Sequence, residues 1–427
     1  MPVRSGWFAS AARPRFAPLS RLLSRHRGKL TVLFTWLLLL PLAEPPATAM
    51  GNRPRAVPAG GAHAVSGPEA LLVQSLMDIQ NNHLDSALRH IDTLLEVRPN
   101  FRLAHLIKGD LLMARARPIR TLGDVQNSRM TDFRDEARVR LQHYLDPAPH
   151  DLIPEYLLQF DSRQPYAVVV DTSRSRLYLY RNENGEPRYV TDYYITMGKK
   201  GAEKFREGDQ RTPLGVYFVT DDLPVAKLTD FYGAGAFPIS YPNEWDKRLG
   251  KNGSGIWLHG VPSDTYSRPP RASNGCVVLS NEDIADIRRY LNIGHTPVII
   301  SSDIVWIDRK AWRAQRAALN QQVERWRRDW ESRDVERYLA HYSRGFANGE
   351  QQYDGWAAQK RLVNSGKTMV RVGLSNLSIF RYPGQENLLV VTFDQDYKSN
   401  NLQNTMRKRQ YWMQENGVWK ILHEGAA

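Results

Sequence analysis

The sequence predicts a multidomain α+β protein, with a helical domain first, a β-rich domain in the middle and a helix-plus-sheet domain last. Three observations predict it. The chain has 427 residues, room for about three domains. Its apolar period is helical from Pro68 to about Leu145 and strand-like from Gln164 to Ser301. A charged, tryptophan-rich helical stretch, Ile304 to about Leu339, then precedes a second strand-patterned region, Val363 to Ala426. Apolar residues at 42% and charged residues at 24% exclude a wholly disordered, collagen-like or polytopic membrane protein.

The amino end reads as an address. Arg4, Arg13, Arg15, Arg21, Arg25, Arg27 and Lys29 stand against Glu44 alone, and Leu30 to Ala43 is an uncharged apolar stretch of 14 residues. That is short for a bilayer span, which needs about 20. Ala47-Thr48-Ala49 offers the small residues of a cleavage site. Residues 1–49 are therefore read as a secretory signal, with an uncleaved anchor as the alternative. Either way the protein is expected in the periplasm or cell envelope. This segment also holds nearly half of the +13 net charge, so the rest is only mildly basic. That argues against nucleic acid and leaves an anionic substrate or cell-surface polymer open. A Gly/Pro/Ala-rich linker occupies 50–67.

The helical domain is assigned to 68–160. Leu71, Leu72, Leu76 and Ile79 share one face, as do Leu84, Leu88, Ile91, Leu94 and Leu95. Asn81-Asn82-His83 breaks the pattern, Pro99-Asn100 ends the second helix, and Ala104 lies on the packing face of a third. This stretch resembles one tetratricopeptide unit, in which small residues let paired helices approach. It is either a plain scaffold or a docking surface for envelope proteins.

The β-rich domain is assigned to 164–302. Tyr166 to Asp171 is a β-branched run and Arg176 to Tyr180 alternates. Asn184-Gly185 signals a hairpin before the strand Tyr189 to Met197. Gly215 to Val219, Gly255 to Leu258 and Val298 to Ile300 are further strands, and Asn281 to Leu291 is a helix capped by Ser280 or Asn281. The last domain, 303–427, joins a helix bearing Trp306, Trp312, Trp326 and Trp330 to Val370–Val372, Leu377–Phe380, Leu388–Phe393, Arg407–Trp412 and Val418–Leu422. Helix, loop with Tyr342 and Phe346, then curved sheet resembles the nuclear transport factor 2-like cone, a fold that makes a pocket without assigning chemistry to it.

The chemistry gathers between strand and helix. Ile256-Trp257-Leu258-His259-Gly260 precedes Ser273-Asn274-Gly275-Cys276-Val277 by a loop of twelve residues. Cys276 is the one cysteine, so no intramolecular disulfide or cysteine zinc cluster can form, and a free thiol in an oxidising compartment must be used or buried. A thiol is a strong nucleophile only as thiolate, and His259 can take its proton. Gly275 allows a tight turn beside it. Amides of Asn274 to Cys276 can face an oxyanion, and the Gly260 carbonyl can orient the imidazole. Only His259 and His295 lie in this domain, unframed by carboxylates, so neither metal nor other cofactor is expected.

These residues, with Thr212-Pro213-Leu214-Gly215-Val216-Tyr217 upstream, resemble the L,D-transpeptidase catalytic domain over about Tyr166 to Ser301. The resemblance implies that Cys276 attacks the peptide bond after the third residue of a peptidoglycan stem tetrapeptide, with His259 as base and Gly260 as orienting carbonyl. D-alanine leaves, and an amine of a second stem resolves the acyl-enzyme as a 3→3 cross-link. Asn274 stands where the family commonly has His, and Val278 where Arg is common. A subset with Ser-Asn-Gly-Cys and a cone domain includes L,D-carboxypeptidases that influence cell shape, so hydrolysis to tripeptide is the alternative. A non-catalytic peptidoglycan-binding scaffold is the alternative of another class. Arg271, among Lys199, Lys200, Arg211 and Arg268, is the expected contact for stem-peptide carboxylates, and Phe231-Tyr232 is either a groove wall or lid or plain core packing. Oligomeric state is left open.

Overall fold

The computed structural model describes residues 67–124, 129–349 and 351–427. The signal segment 1–49 and the linker up to residue 66 lie outside the described residues. Four helices come first: α1 (Pro68–Gln80), α2 (Leu84–Val97), α3 (Arg102–Ala114) and α4 (Arg129–Leu145). The break at Asn81–His83 is where α1 ends, with Asn82 at φ 60°. Leu72, Ala87, Ile91, Leu94, Leu103, Ala104 and Ile107 fill the space between them. Ala87 and Ala104, both fully buried, are the small residues at the close approaches.

The segment after α4 departs from the helical assignment of 68–160. Residues 153–159 form two short strands, β1 (Ile153–Pro154) and β2 (Leu157–Gln159). β2 joins the edge of the carboxyl-terminal sheet. Pro154 removes a donor, which suits so short a strand.

The middle domain opens with β3 (Tyr166–Asp171), β4 (Arg176–Glu183), β5 (Glu186–Tyr194) and β6 (Met197–Gly198). It continues with β7 (Gly215–Phe218), β8 (Ala236–Pro238), α5 (Glu244–Arg248), β9 (Trp257–His259), β10 (Arg271–Ser273), β11 (Val277–Val278), α6 (Asn281–Ile287) and β12 (Pro297–Ser301). The main sheet runs β5-β4-β3-β12-β7. β3 is buried on both faces, which is why it reads as an unbroken apolar run. Asn184 and Gly185 both take positive φ and turn β4 into β5, as the hairpin signal predicts. A smaller sheet, β11-β9-β8, carries the chemistry-bearing residues.

β13 (Trp306–Ile307) pairs with β1, so Trp306 lies in a strand and not on the connecting helix. That helix, α7 (Arg309–Glu331), starts at an Asp308 cap bonded to the Ala311 amide at 2.8 Å. It is followed by α8 (Val335–Leu339) after a turn at Arg333, φ 64°. α9 (Tyr353–Ser365) is a further helix, covering residues up to Val363 that the sequence pattern leaves to loop and strand. The sheet is β14 (Val370–Arg381), β15 (Leu388–Ser399), β16 (Gln403–Glu415) and β17 (Val418–Ala426), in the order β17-β16-β15-β14-β2. The two predicted strands before residue 381 are one strand, bulged between Ser375 and Ser378 with Asn376 at φ 51°. Inside the cone, Glu424 accepts from Lys408 (2.6 Å), Gln410 (2.6 Å) and Tyr342 (3.2 Å). No helix among the described residues is long and apolar enough to cross a membrane.

Candidate active site

β9 is the middle strand of its sheet, antiparallel to β8 and parallel to β11. Val277 lies opposite Leu258 and Val278 opposite His259. One residue back along the same register, Cys276 comes level with Trp257. Strand side chains alternate between faces, so Cys276, Val278, Trp257 and His259 share one face. This pairing puts a thiol and an imidazole, 17 positions apart in sequence, next to each other on one side of a sheet.

His259 is 1% exposed, and its Nδ1 lies 2.7 Å from the Gly260 carbonyl. A carbonyl only accepts, so Nδ1 carries the proton and Nε2 is the basic nitrogen of the neutral ring. Tyr232 stands edge-on to the imidazole at 5.2 Å and tilts over Trp257 at 4.7 Å, while Phe231 lies 5.8 Å from the imidazole. Burial among these rings pulls the imidazole pKa down to about 4. The Gly260 contact opposes this, and the Arg268 charge adds to it.

Cys276 is half-buried, and its thiol donates to the Gly255 carbonyl at 3.4 Å. Burial pushes the thiol up. The Trp257 amide and the charges of Lys204 and Arg268 pull it back toward the thiolate. Lys204 is itself buried and held by Asp209 at 2.9 Å. The Arg268 guanidinium sits 5.0 Å over the Phe231 ring.

A small set of side chains builds the turn before the cysteine. Ser273 Oγ donates to the Cys276 carbonyl at 2.7 Å and accepts from the Gly275 amide at 3.1 Å. That takes Gly275 out of the predicted oxyanion set and leaves the Asn274 and Cys276 amides. Gly275 has φ 127°, and a Cβ there would meet the Arg211 carbonyl at 2.8 Å, so the position requires glycine. Thr212, from the upstream motif, donates to the Gly275 carbonyl at 3.0 Å and accepts from the Gly198 amide at 2.9 Å. Asn274 is exposed and accepts from Lys199 Nζ at 3.2 Å.

Gly260 does more than offer a carbonyl. Its amide faces the carbonyls of Tyr232 (3.0 Å) and Gly235 (3.1 Å), and an added Cβ would lie 2.3 Å from Asn281 Oδ1. That same oxygen accepts from Ala234 (2.9 Å) and Val261 (3.2 Å). Asn281 thus pins the Phe231-Tyr232 segment to the strand bearing His259. Sequence reasoning saw it only as a rival cap, and Ser280 does the capping, accepting from Asp283 at 3.1 Å. Among the cations, Arg271 is exposed on β10, whereas Arg268 acts on both the thiol and the imidazole. Arg211 is turned to the Ala202 carbonyl at 2.9 Å, and Lys200 is exposed.

Known proteins share the middle and last of these domains. Residues 165–300 match the YkuD L,D-transpeptidase catalytic domain, and residues 318–425 match the Cds6 C-terminal NTF2-like domain. Bd1075 of Bdellovibrio bacteriovorus is 31% identical with a TM-score of 0.58, the match covering 65% of this chain and 98% of that one. The helical cell shape determining protein Pgp2 of Campylobacter jejuni is 26% identical with a TM-score of 0.55, over 65% of this chain and 96% of that one. Comparison with curated proteins yields no match. By its matched domains and its identity to Bd1075 over nearly all of that chain, this protein belongs to the L,D-transpeptidase family, in the form that carries a C-terminal NTF2-like domain.

Proposed function

We propose that this protein is an exported cysteine L,D-transpeptidase that acts on peptidoglycan stem tetrapeptides through a Cys276 acyl-enzyme. The observation that carries the reading is the parallel pairing of β9 and β11, which sets His259, with Nε2 as its base, on the face that presents the thiol. The thiol proton passes to Nε2 as sulfur attacks the carbonyl of the third stem residue. The tetrahedral oxyanion faces the Asn274 and Cys276 amides. The C–N bond then breaks, the imidazolium returns its proton to the departing D-alanine amine, and a thioester remains. The Gly260 carbonyl stabilises the imidazolium through Nδ1–H. An amine of a second stem then attacks the thioester, giving a 3→3 cross-link and the free thiol. Export follows from the leader read in residues 1–49, with the periplasm or envelope as destination.

A second reading has water resolve the thioester, leaving a tripeptide. Asn274 favours it, because a side chain tied to Lys199 holds the place where the family commonly has a titratable His. The match to Pgp2, a protein described as determining helical cell shape, points to a role in shape under either reading. A scaffold that only binds peptidoglycan would have no use for an assigned base beside a half-exposed thiol.

Mass spectrometry of disaccharide-tetrapeptide products, with Cys276→Ala as control, tests these readings. Cross-linked dimer that depends on Cys276 supports transfer, and tripeptide alone supports hydrolysis. Product formation unchanged by Cys276→Ala, or none from the wild type, overturns both.

A further inference from the structure

The family matches span 165–300 and 318–425, so the helical domain lies outside both. Three of its contacts fall on the segment that joins His259 to Cys276. Tyr266 packs into the helical core, 4.7 Å from the Phe101 ring, with the Arg98 guanidinium 5.5 Å over it. Asn100 donates to the Ser263 carbonyl at 3.3 Å. Ser267 donates to Glu136 of α4 at 2.7 Å. Arg98 also pairs with Glu282, in the first turn of α6, at 3.4 Å.

Behind this contact lies a buried charge network. Glu136 and Arg140 of α4 are 1% and 2% exposed. Arg140 bonds both Glu136 and Glu69 of α1, and its guanidinium lies 3.7 Å over Tyr194 of β5. Glu69 also takes Arg176 of β4 at 3.0 Å. Tyr194 in turn donates to the Arg268 carbonyl at 2.9 Å, and Thr196 to the same oxygen at 3.0 Å. Charges this deeply buried are retained only where geometry pairs them closely. Here the paired geometry spans the helical domain and the catalytic sheet.

We propose that the helical domain is a positioning element of the catalytic site, clamping residues 261–270 through Tyr266 and the Ser267–Glu136 bond and so holding the Arg268 guanidinium over Phe231 beside His259 and the thiol. The proposal rests on the reading of Cys276 as the reactive thiol. Arg268 is the group the clamp delivers, and Tyr266, Ser267 and Glu136 are positioning residues.

Cys276 is the one cysteine, so alkylation of the full chain reports on this site alone. The probes are iodoacetate, an anion, and iodoacetamide, its neutral counterpart. A guanidinium at the thiol speeds the anion relative to the amide by about fivefold at low ionic strength, the factor one charge exerts at contact distance in water. Arg268→Gln removes that preference and sets the baseline. Tyr266→Ala and Ser267→Ala are expected to move the ratio toward the baseline, while Tyr266→Phe, which keeps the ring, stays at wild type. Thermal unfolding of each variant separates loop release from loss of the fold, and Ser267→Ala decides if Tyr266→Ala does not fold. Folded Tyr266→Ala and Ser267→Ala proteins that keep the wild-type ratio while Arg268→Gln loses it overturn the clamp. An unchanged ratio in Arg268→Gln overturns the placement of its charge at the thiol. Neither outcome depends on peptidoglycan, so a failure of the proposed substrate shows separately, as wild-type protein that releases no D-alanine.

Discussion

Burial selects a neutral thiol beside a neutral imidazole as the resting state of Cys276 and His259. It lowers the imidazole to about 4 and raises the thiol, so between pH 5 and 8 the pair holds the thiol proton and the Nδ1 proton and no net charge. On the proposed reading proton transfer then waits for substrate: Lys204 and Arg268 favour the thiolate, Arg268 opposes the imidazolium, and the developing oxyanion offsets that by pairing with the imidazolium. The sign for reactivity follows. The thiolate fraction grows about tenfold per pH unit below the thiol pKa, with the imidazole neutral throughout. Alkylation of Cys276 by iodoacetamide is expected to climb steadily from pH 5 to 8, measured by loss of free thiol. A flat profile across that range would mean a preformed thiolate–imidazolium pair and would contradict this account. At this scale the thiol, the imidazole and its contact with the Gly260 carbonyl were legible from residue type and spacing. The cation whose charge acts on this pair was not. The sequence favours Arg271, in the motif loop, and the placement of Arg268 over Phe231 depends on the path of the loop 261–270, which no local pattern gives.

The site at the level of elements is a strand, a tight turn and a helix start bound by polar side chains. Asn281, the first residue of α6, reaches across to the Ala234 and Val261 amides. Asn281→Ala leaves both donors without their acceptor, which costs about 1–3 kcal/mol for a buried group. It also frees the segment that holds Tyr232 against His259. The expected outcome is a lower urea midpoint together with a loss of turnover, both partly recovered in Asn281→Asp, which keeps the acceptor oxygen. A full loss of turnover with no change in midpoint would instead assign Asn281 to the chemistry. α9 shows why one element escaped the sequence pattern. Its buried face is Tyr353, Trp356 and Ala357, whereas Leu362 and Val363 are 77% and 49% exposed. Apolar residues on the solvent side blur the helical period, and Gly355 weakens the propensity.

Across the whole molecule, one core joins the two family-matched domains. Val169, Tyr180 and Val216 of the catalytic sheet, Trp312 of the connecting helix, and Phe380, Val390 and Tyr411 of the cone sheet belong to the same buried cluster. β2 crosses to the cone sheet, and the Trp312 indole donates to the Leu157 carbonyl at 2.7 Å. The catalytic and cone domains are therefore expected to unfold together. Calorimetry should give one transition for both, with calorimetric and van't Hoff enthalpies equal. Trp312→Ala, which empties a fully buried site, should lower stability by about 3–5 kcal/mol without splitting that transition. Two separate transitions in the wild type would show that the shared core does not couple the domains.

The sequence by itself determined most of the elements and the residue types that gather at the candidate site. Apolar periodicity, caps and turn residues act locally, and a thiol, an imidazole and a glycine turn declare themselves by type. Tertiary structure decided what those residues face. The parallel register that puts Cys276 on the same face as His259, the entry of β2 into a distant sheet and the hold of the helical domain on residues 261–270 all join segments far apart in the chain. Such contacts are selected by burial, and by the need to satisfy buried polar groups, across the whole fold. No local pattern along the chain encodes them.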